Sequence, residues 1–180
     1  MKRIGLLVTV LSVTVLASSA RAQDTTSPNL LVAGAKSLSF AIPGGNNGYA
    51  SGAAGLWYMI TDQVNLGFNV GLGLDRQNAG TGTETTWDIL LAPAMRYYLK
   101  TDGVVAPFIH GQANFRINHQ PDNTGEELGV AGGVGAEWFP VRQFSIAGQV
   151  GLGVDVVRQN NSEPAIGTFT SQLSAQLYWD

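Results

Sequence analysis

Between Val64 and Asp75 the chain reads Val-Asn-Leu-Gly-Phe-Asn-Val-Gly-Leu-Gly-Leu-Asp, a large apolar residue at every even position and Gly, Asn or Asp at every odd one after it. Only a β-strand expresses a period of two as two different faces. The second face decides what kind of sheet this is. Gly67, Gly71 and Gly73 cannot fill a hydrophobic core, whereas small and polar residues suit the interior of a narrow barrel. The apolar face then points outward. A soluble lipocalin-type barrel has the opposite orientation, and parity alone does not separate the two.

The pattern recurs along the chain and predicts eight strands at about 31–42, 49–60, 64–76, 86–99, 104–117, 127–139, 143–157 and 168–179, each near the length of a tilted membrane-spanning strand. The predicted outward sets include Leu38, Phe40 and Ile42; Leu56, Tyr58 and Ile60; Ile89, Leu91 and Met95; Phe144, Ile146 and Val150. Lys36 is the exception in charge, so the first strand starts late, is bulged, or lets the amine snorkel. Connections alternate in length. Thr61 to Gln63, Lys100 to Gly103 and Pro140 to Arg142 are short. Gly44 to Gly48, Gln77 to Thr85, Asn118 to Glu126 and Gln159 to Gly167 are longer and polar. Short periplasmic turns and longer outer loops are the habit of an up-and-down transmembrane barrel. Tyr58, Tyr97, Trp138 and Trp179 fall beside the short turns and Trp87 beside a long loop, which predicts aromatic girdles at the two membrane interfaces.

Composition agrees with a lipid-facing surface. The chain is 44% hydrophobic and only 13% charged, against about 25% charged in soluble domains. Residues 1–22 carry a basic start at Lys2 and Arg3, an apolar run from Ile4 to Leu16 and the tripeptide Ala20-Arg21-Ala22. That is the layout of a cleaved signal peptide, with 23–180 as the barrel domain. Its removal takes away three basic residues and no acidic one, so the mature chain is more negative than the full-length −3. Acidity without a basic cluster argues against nucleic acid. With no cysteine, disulfides, thiol catalysis and thiolate metal sites are excluded.

At the end of the chain Leu173, Ala175, Leu177 and Trp179 alternate up to an aromatic residue, followed by Asp180. This resembles the signature by which the barrel-assembly machinery recognises outer-membrane proteins. Pro93-Ala94-Met95-Arg96-Tyr97-Tyr98-Leu99, Gly135-Ala136-Glu137-Trp138-Phe139-Pro140 and Gly55-Leu56-Trp57-Tyr58-Met59-Ile60 each resemble the end of a descending strand in the small barrels of the OmpA transmembrane domain, OmpX and OmpW type. The resemblance implies an all-β, eight-stranded antiparallel barrel in a bacterial outer membrane. Its partners would be membrane lipid and the assembly machinery, reached through the last strand. The chain would be a monomer without cofactor. The resemblance specifies architecture, not activity.

Counting parity inward gives a lumen lined by Asp75, Asp88, Arg96, Tyr98, His110, Gln112, Asn114, Arg116, Glu137, Gln149, Asp155, Gln172 and Gln176, with Asn65 and Asn69. Arg96 and Glu137 each lie a few residues above a short turn, which predicts an ion pair plugging the barrel. Asp75, Asp88 and Asp155 approach the outer rim, but nothing in their spacing resembles a calcium loop, so no metal is assigned. His110 and His119 have no Ser at a spacing that carries a mechanism, and no catalytic residue is assigned. The expected function is a non-enzymatic outer-membrane barrel with a structural, envelope-stabilising or surface-interaction role. The alternative is a narrow channel or a lateral-exit carrier, with Pro43, Pro93 and Pro107 able to interrupt strand pairing. A lipid-modifying enzyme and a soluble binder rank below both.

Overall fold

Each residue that lipid surrounds must have its backbone N–H and C=O paired within the protein, and a sheet achieves this only by closing on itself. A computed structural model describes residues 27–43, 52–79, 82–120, 123–158, 164–165 and 169–180; the proposed signal peptide lies outside them. It forms such a closed sheet. The strands are β1 (Lys36–Pro43), β2 (Ala53–Met59), β3 (Val64–Ala79), β4 (Gly82–Tyr98), β5 (Val105–Gln120), β6 (Asn123–Val141), β7 (Phe144–Arg158) and β8 (Phe169–Trp179). Each runs antiparallel to the next, and β8 pairs with β1 from Lys36↔Trp179 to Pro43↔Gln172. A two-residue ladder, Pro164–Ala165, adds to β7.

The two faces of this barrel are the inverse of a soluble one. Leu56, Phe68, Leu72, Leu91, Phe115, Val130, Leu152 and Leu173 are exposed on the outside. Asn65, Asn69, Asp88, Arg96, Glu137, Ser145 and Gln176 are buried inside. That arrangement assigns the outer surface to lipid and excludes the lipocalin orientation.

Four boundaries differ from the sequence expectation in ways that bear on the site. The first strand starts at Lys36, not at 31, and places the lysine on the outside at the end that carries the short turns. Residues 27–35 instead cross that mouth. Asn29 donates its side-chain amide to the carbonyls of Thr101 (2.7 Å) and Gly103 (2.9 Å) in the β4–β5 turn. Asp62, in the β2–β3 turn, accepts from the Ala33 amide at 2.7 Å. Leu30 and Leu31 are buried against Met59, Tyr98, Phe108, Phe139 and Tyr178. The segment joins β1 through Gly34, whose φ of +91° is a left-handed conformation that glycine adopts without steric cost. At the other end, the expected loops 77–85 and 118–126 are largely strand: Gln77↔Glu84 and His119↔Thr124 still pair. These strands, of 16 to 19 residues, exceed the roughly 9–11 that cross a bilayer, so the hairpins β3–β4 and β5–β6 project beyond it. The last short turn is Arg142 and Gln143, because Pro140 and Val141 belong to β6 beyond a register shift.

The lumen glycines make room for specific side chains. A Cβ on Gly67 would stand 2.1 Å from Cδ2 of Trp57, and one on Gly73 would overlap the carboxylate of Asp88, its cross-strand partner. Gly111, on the outer face, has nothing within 4 Å of a built Cβ. Gly67→Ala is therefore expected to lower unfolding free energy by about 1–3 kcal/mol through overpacking, and Gly111→Ala to change it by less than about 0.5 kcal/mol. Urea unfolding in micelles, followed by tryptophan fluorescence, measures both.

Candidate functional site

Two layers of side chains fill the lumen among the described residues, and the upper one is built on Arg96. Arg96 projects inward from β4 and makes polar contacts with three other strands. Its Nη1 lies 3.4 Å from Glu137 Oε2 on β6, and its Nη2 lies 3.5 Å from Gln149 Oε1 on β7 and 3.4 Å from Ser174 Oγ on β8. The guanidinium is held between the rings of Trp57 on β2 and Phe108 on β5, 4.6 Å from each centroid. Such stacking suits a planar, weakly hydrated cation. Five strands besides its own thus contact one side chain.

Glu137 is fully buried, so its charge must be met locally. Beside Arg96, Tyr98 donates its hydroxyl to Oε2 at 2.5 Å and Tyr178 donates to Oε1 at 2.8 Å. Ser145 also donates to Oε1. Four donors around one carboxylate are the compensation that a buried anion requires. Directly below lies the second layer, the apolar cluster of Leu30, Leu31, Met59, Phe139 and the ring bodies of Tyr98 and Tyr178.

Above Arg96 the lumen is polar and tight. A cavity of about 10 Å³ is lined by Ser39, Asn69, His110, Gln112, Gln149 and Gln172 among others, room for roughly one water. Trp57 Nε1 donates to Ser39 (2.9 Å), Gln149 to Gln172 (2.5 Å) and Gln112 to Asn114 (2.5 Å). His110 is buried beside the Phe108 ring. Toward the outer end, Arg116 Nη1 lies 3.5 Å from Glu127 Oε2, directly across the β5–β6 ladder. The sequence places Glu127 at the edge of a loop, and the extension of the ladder makes it a luminal partner. Asp88 is buried over Gly73. The side chains of Asp75 and Asp155 lie outside those described, and among the described residues no three His, Asp or Glu come together as a metal site would need.

Tyr58, Tyr97, Trp138 and Trp179 all face outward at the short-turn end, and Trp87 faces outward at the other, stacked on His119 at 5.2 Å. Parity counting does not single out Trp57, Phe108, Ser145, Tyr178 or Leu30. Their inward phase is readable for all but Leu30, but which inward residues share a level depends on the stagger between strands.

Besides the register shift in β6–β7, the β4–β5 ladder has a gap among the described residues. Pairing between β4 and β5 stops at Leu91↔Phe115 and resumes in the same register at Ala94↔Gln112. Pro93, which has no N–H to donate, lies in the gap. Pro107 and Pro43 leave their ladders continuous.

No family model matches this chain, and no curated protein matches it. Among solved structures it is similar to Neisserial surface protein A, at 9% identity over 80% of this chain and 93% of that one, with a TM-score of 0.50. It also aligns with the N-terminal β-barrel domain of Pseudomonas aeruginosa OprF, at 14% identity over 82% of this chain and 98% of that one, TM-score 0.49. A third alignment is to a major outer membrane protein from Thermus thermophilus, at 16% identity over 82% and 100% of the two chains, TM-score 0.44. The fold is that of the small bacterial outer-membrane barrels.

Arg96→Ala leaves Glu137 buried without its cation and is expected to cost about 3–5 kcal/mol. Glu137→Gln introduced together with Arg96→Met removes both charges and should recover much of that loss, a coupling that a double-mutant cycle in urea reads directly.

Proposed function

We propose that this protein is a non-conducting, non-enzymatic barrel of the bacterial outer membrane, whose role is structural or envelope-stabilising, with surface contacts made by its outer hairpins. The observation that carries this reading is the double seal: the Arg96 layer spans the lumen, and the Leu30–Leu31 segment covers the mouth beneath it. An eight-stranded barrel has an interior about filled by side chains, and here that filling is polar and, around Arg96 and Glu137, tied across strands by hydrogen bonds. Such a network favours rigidity over transport. Membrane lipid is the partner of its outer face, and the alternating end of β8 is the segment through which assembly machinery would take it up. We read it as a monomer, since the closed ladder of the described strands joins β1 to β8 and leaves neither terminal strand open to another copy.

A second reading, a lateral route for a hydrophobic solute, is favoured by one observation, the break in the β4–β5 ladder at Pro93. It competes poorly with the first, because the side chains of Gln112 and Asn114 bond to each other on the luminal side of that break.

Planar-bilayer recording separates these readings. The intact barrel is expected to show no steady ion current, and deleting residues 27–33 alone should leave it silent, because the Arg96 layer still spans the lumen. Current should appear only when that deletion is combined with Arg96→Ala and Trp57→Ala. A steady current through the unmodified protein would overturn the sealed reading. Uptake of a hydrophobic solute that is lost in Pro93→Val would favour the lateral one.

A further inference from the structure

Among the described strand residues, one cation stands on the outer face at the short-turn end. Lys36, the first residue of β1, is exposed, and its cross-strand neighbours are Tyr58 on β2 and Trp179 on β8, both outward-facing. The three form a single row, aromatic, amine, aromatic, at the level of the aromatic girdle. No acid among the described residues lies within ion-pair distance of the amine, whereas Lys100, in the β4–β5 turn, pairs with Asp102 at 3.5 Å. From this row an open groove of about 520 Å³ runs along the outer wall, walled by Leu56, Leu66 and Phe68, with Gly67 in its floor.

We propose that this groove is a binding site for one phospholipid of the periplasmic leaflet, its phosphate on the Lys36 amine and an acyl chain along Leu56, Leu66 and Phe68. The argument is one of matching chemistry at matching depth. The short turns mark the periplasmic side, so the Tyr58–Lys36–Trp179 row stands where phosphates lie. Aromatic rings with an apolar body and a polar tip settle at that level. An amine there attracts anionic headgroup oxygens, while its alkyl stem stays against apolar surface. The apolar channel below the amine runs between the large outward side chains of Leu56, Leu66 and Phe68, which gives an acyl chain a track. Phosphatidylethanolamine, whose phosphate offers the amine anionic oxygens, is the probe for the site. The inference rests on the membrane reading but not on the lumen being sealed.

The test is native mass spectrometry of the full barrel released from nanodiscs, comparing wild type, Lys36→Gln, Lys100→Gln and Leu66→Trp. Wild type should retain one phosphatidylethanolamine. Lys36→Gln should weaken that retention about fivefold, in line with the worth of one interfacial cation. Leu66→Trp, which crowds the groove without touching the amine, should weaken it as well, and Lys100→Gln should leave it unchanged. Displacement by inorganic phosphate would show a plain anion site without an acyl track and would overturn the proposal, as would equal retention in wild type and Lys36→Gln. A heat-dependent gel shift on each variant establishes that it is folded. A folded, inserted barrel that keeps no lipid would end this proposal and leave the membrane reading standing.

Discussion

Pairing between the first and last strands is the constraint on which everything else depends. In hydrocarbon an unpaired backbone N–H or C=O costs several kcal/mol, so an open sheet of seven pairings would leave two unsatisfied edges. The β1–β8 ladder removes both. Once the sheet is closed with eight strands, the lumen diameter follows, and with it the choice of inward residues. The glycines of β3 and β6 are where bulky or charged groups of the adjacent strands fit: Trp57 over Gly67, Asp88 over Gly73, Phe108 toward Gly135. Small and large side chains are thus matched between neighbouring strands, as the alternation of large and small does in any filled barrel.

That interior presents a second physical problem, because the polar groups sent inward by parity are then removed from bulk water. The solution is concentration. Glu137 receives three hydroxyls and a guanidinium, and Arg96 divides its donors among a carboxylate, an amide and a hydroxyl while two aromatic faces cover its plane. Truncating any one of these leaves others buried and unpaired, so the network behaves as a unit.

Strand number, strand order and the orientation of the two faces were legible in the residues, since period two with a glycine-rich second face admits few other folds. The inward phase of Arg96 and Glu137 and their short distance above a turn put them near one level by counting alone. The neighbours that hold them were not legible, because strand tilt decides which inward positions on β2, β5 and β8 meet β4. Leu30 to Ala35 illustrates a different loss. A run of apolar residues ahead of an alternating one looks like the start of a strand, and only the three-dimensional mouth, ringed by Met59, Phe139 and Tyr178, offers it another place to be buried. At the outer end the hydrophobic pattern stops where lipid stops, while backbone pairing continues through Gln77↔Glu84 and Arg116↔Glu127. Nothing in a polar sequence marks that continuation.

The segment that crosses the mouth also carries a consequence for biogenesis. Its anchors are the β2–β3 and β4–β5 turns, and its leucines lie among side chains from β2, β4, β5, β6 and β8. No partly synthesised or partly zipped chain can present that set of contacts. The full set of contacts of this segment therefore exists only on a barrel whose ends have already met. In that sense it is a latch that registers completion, reporting at the periplasmic face that the circle of strands is whole.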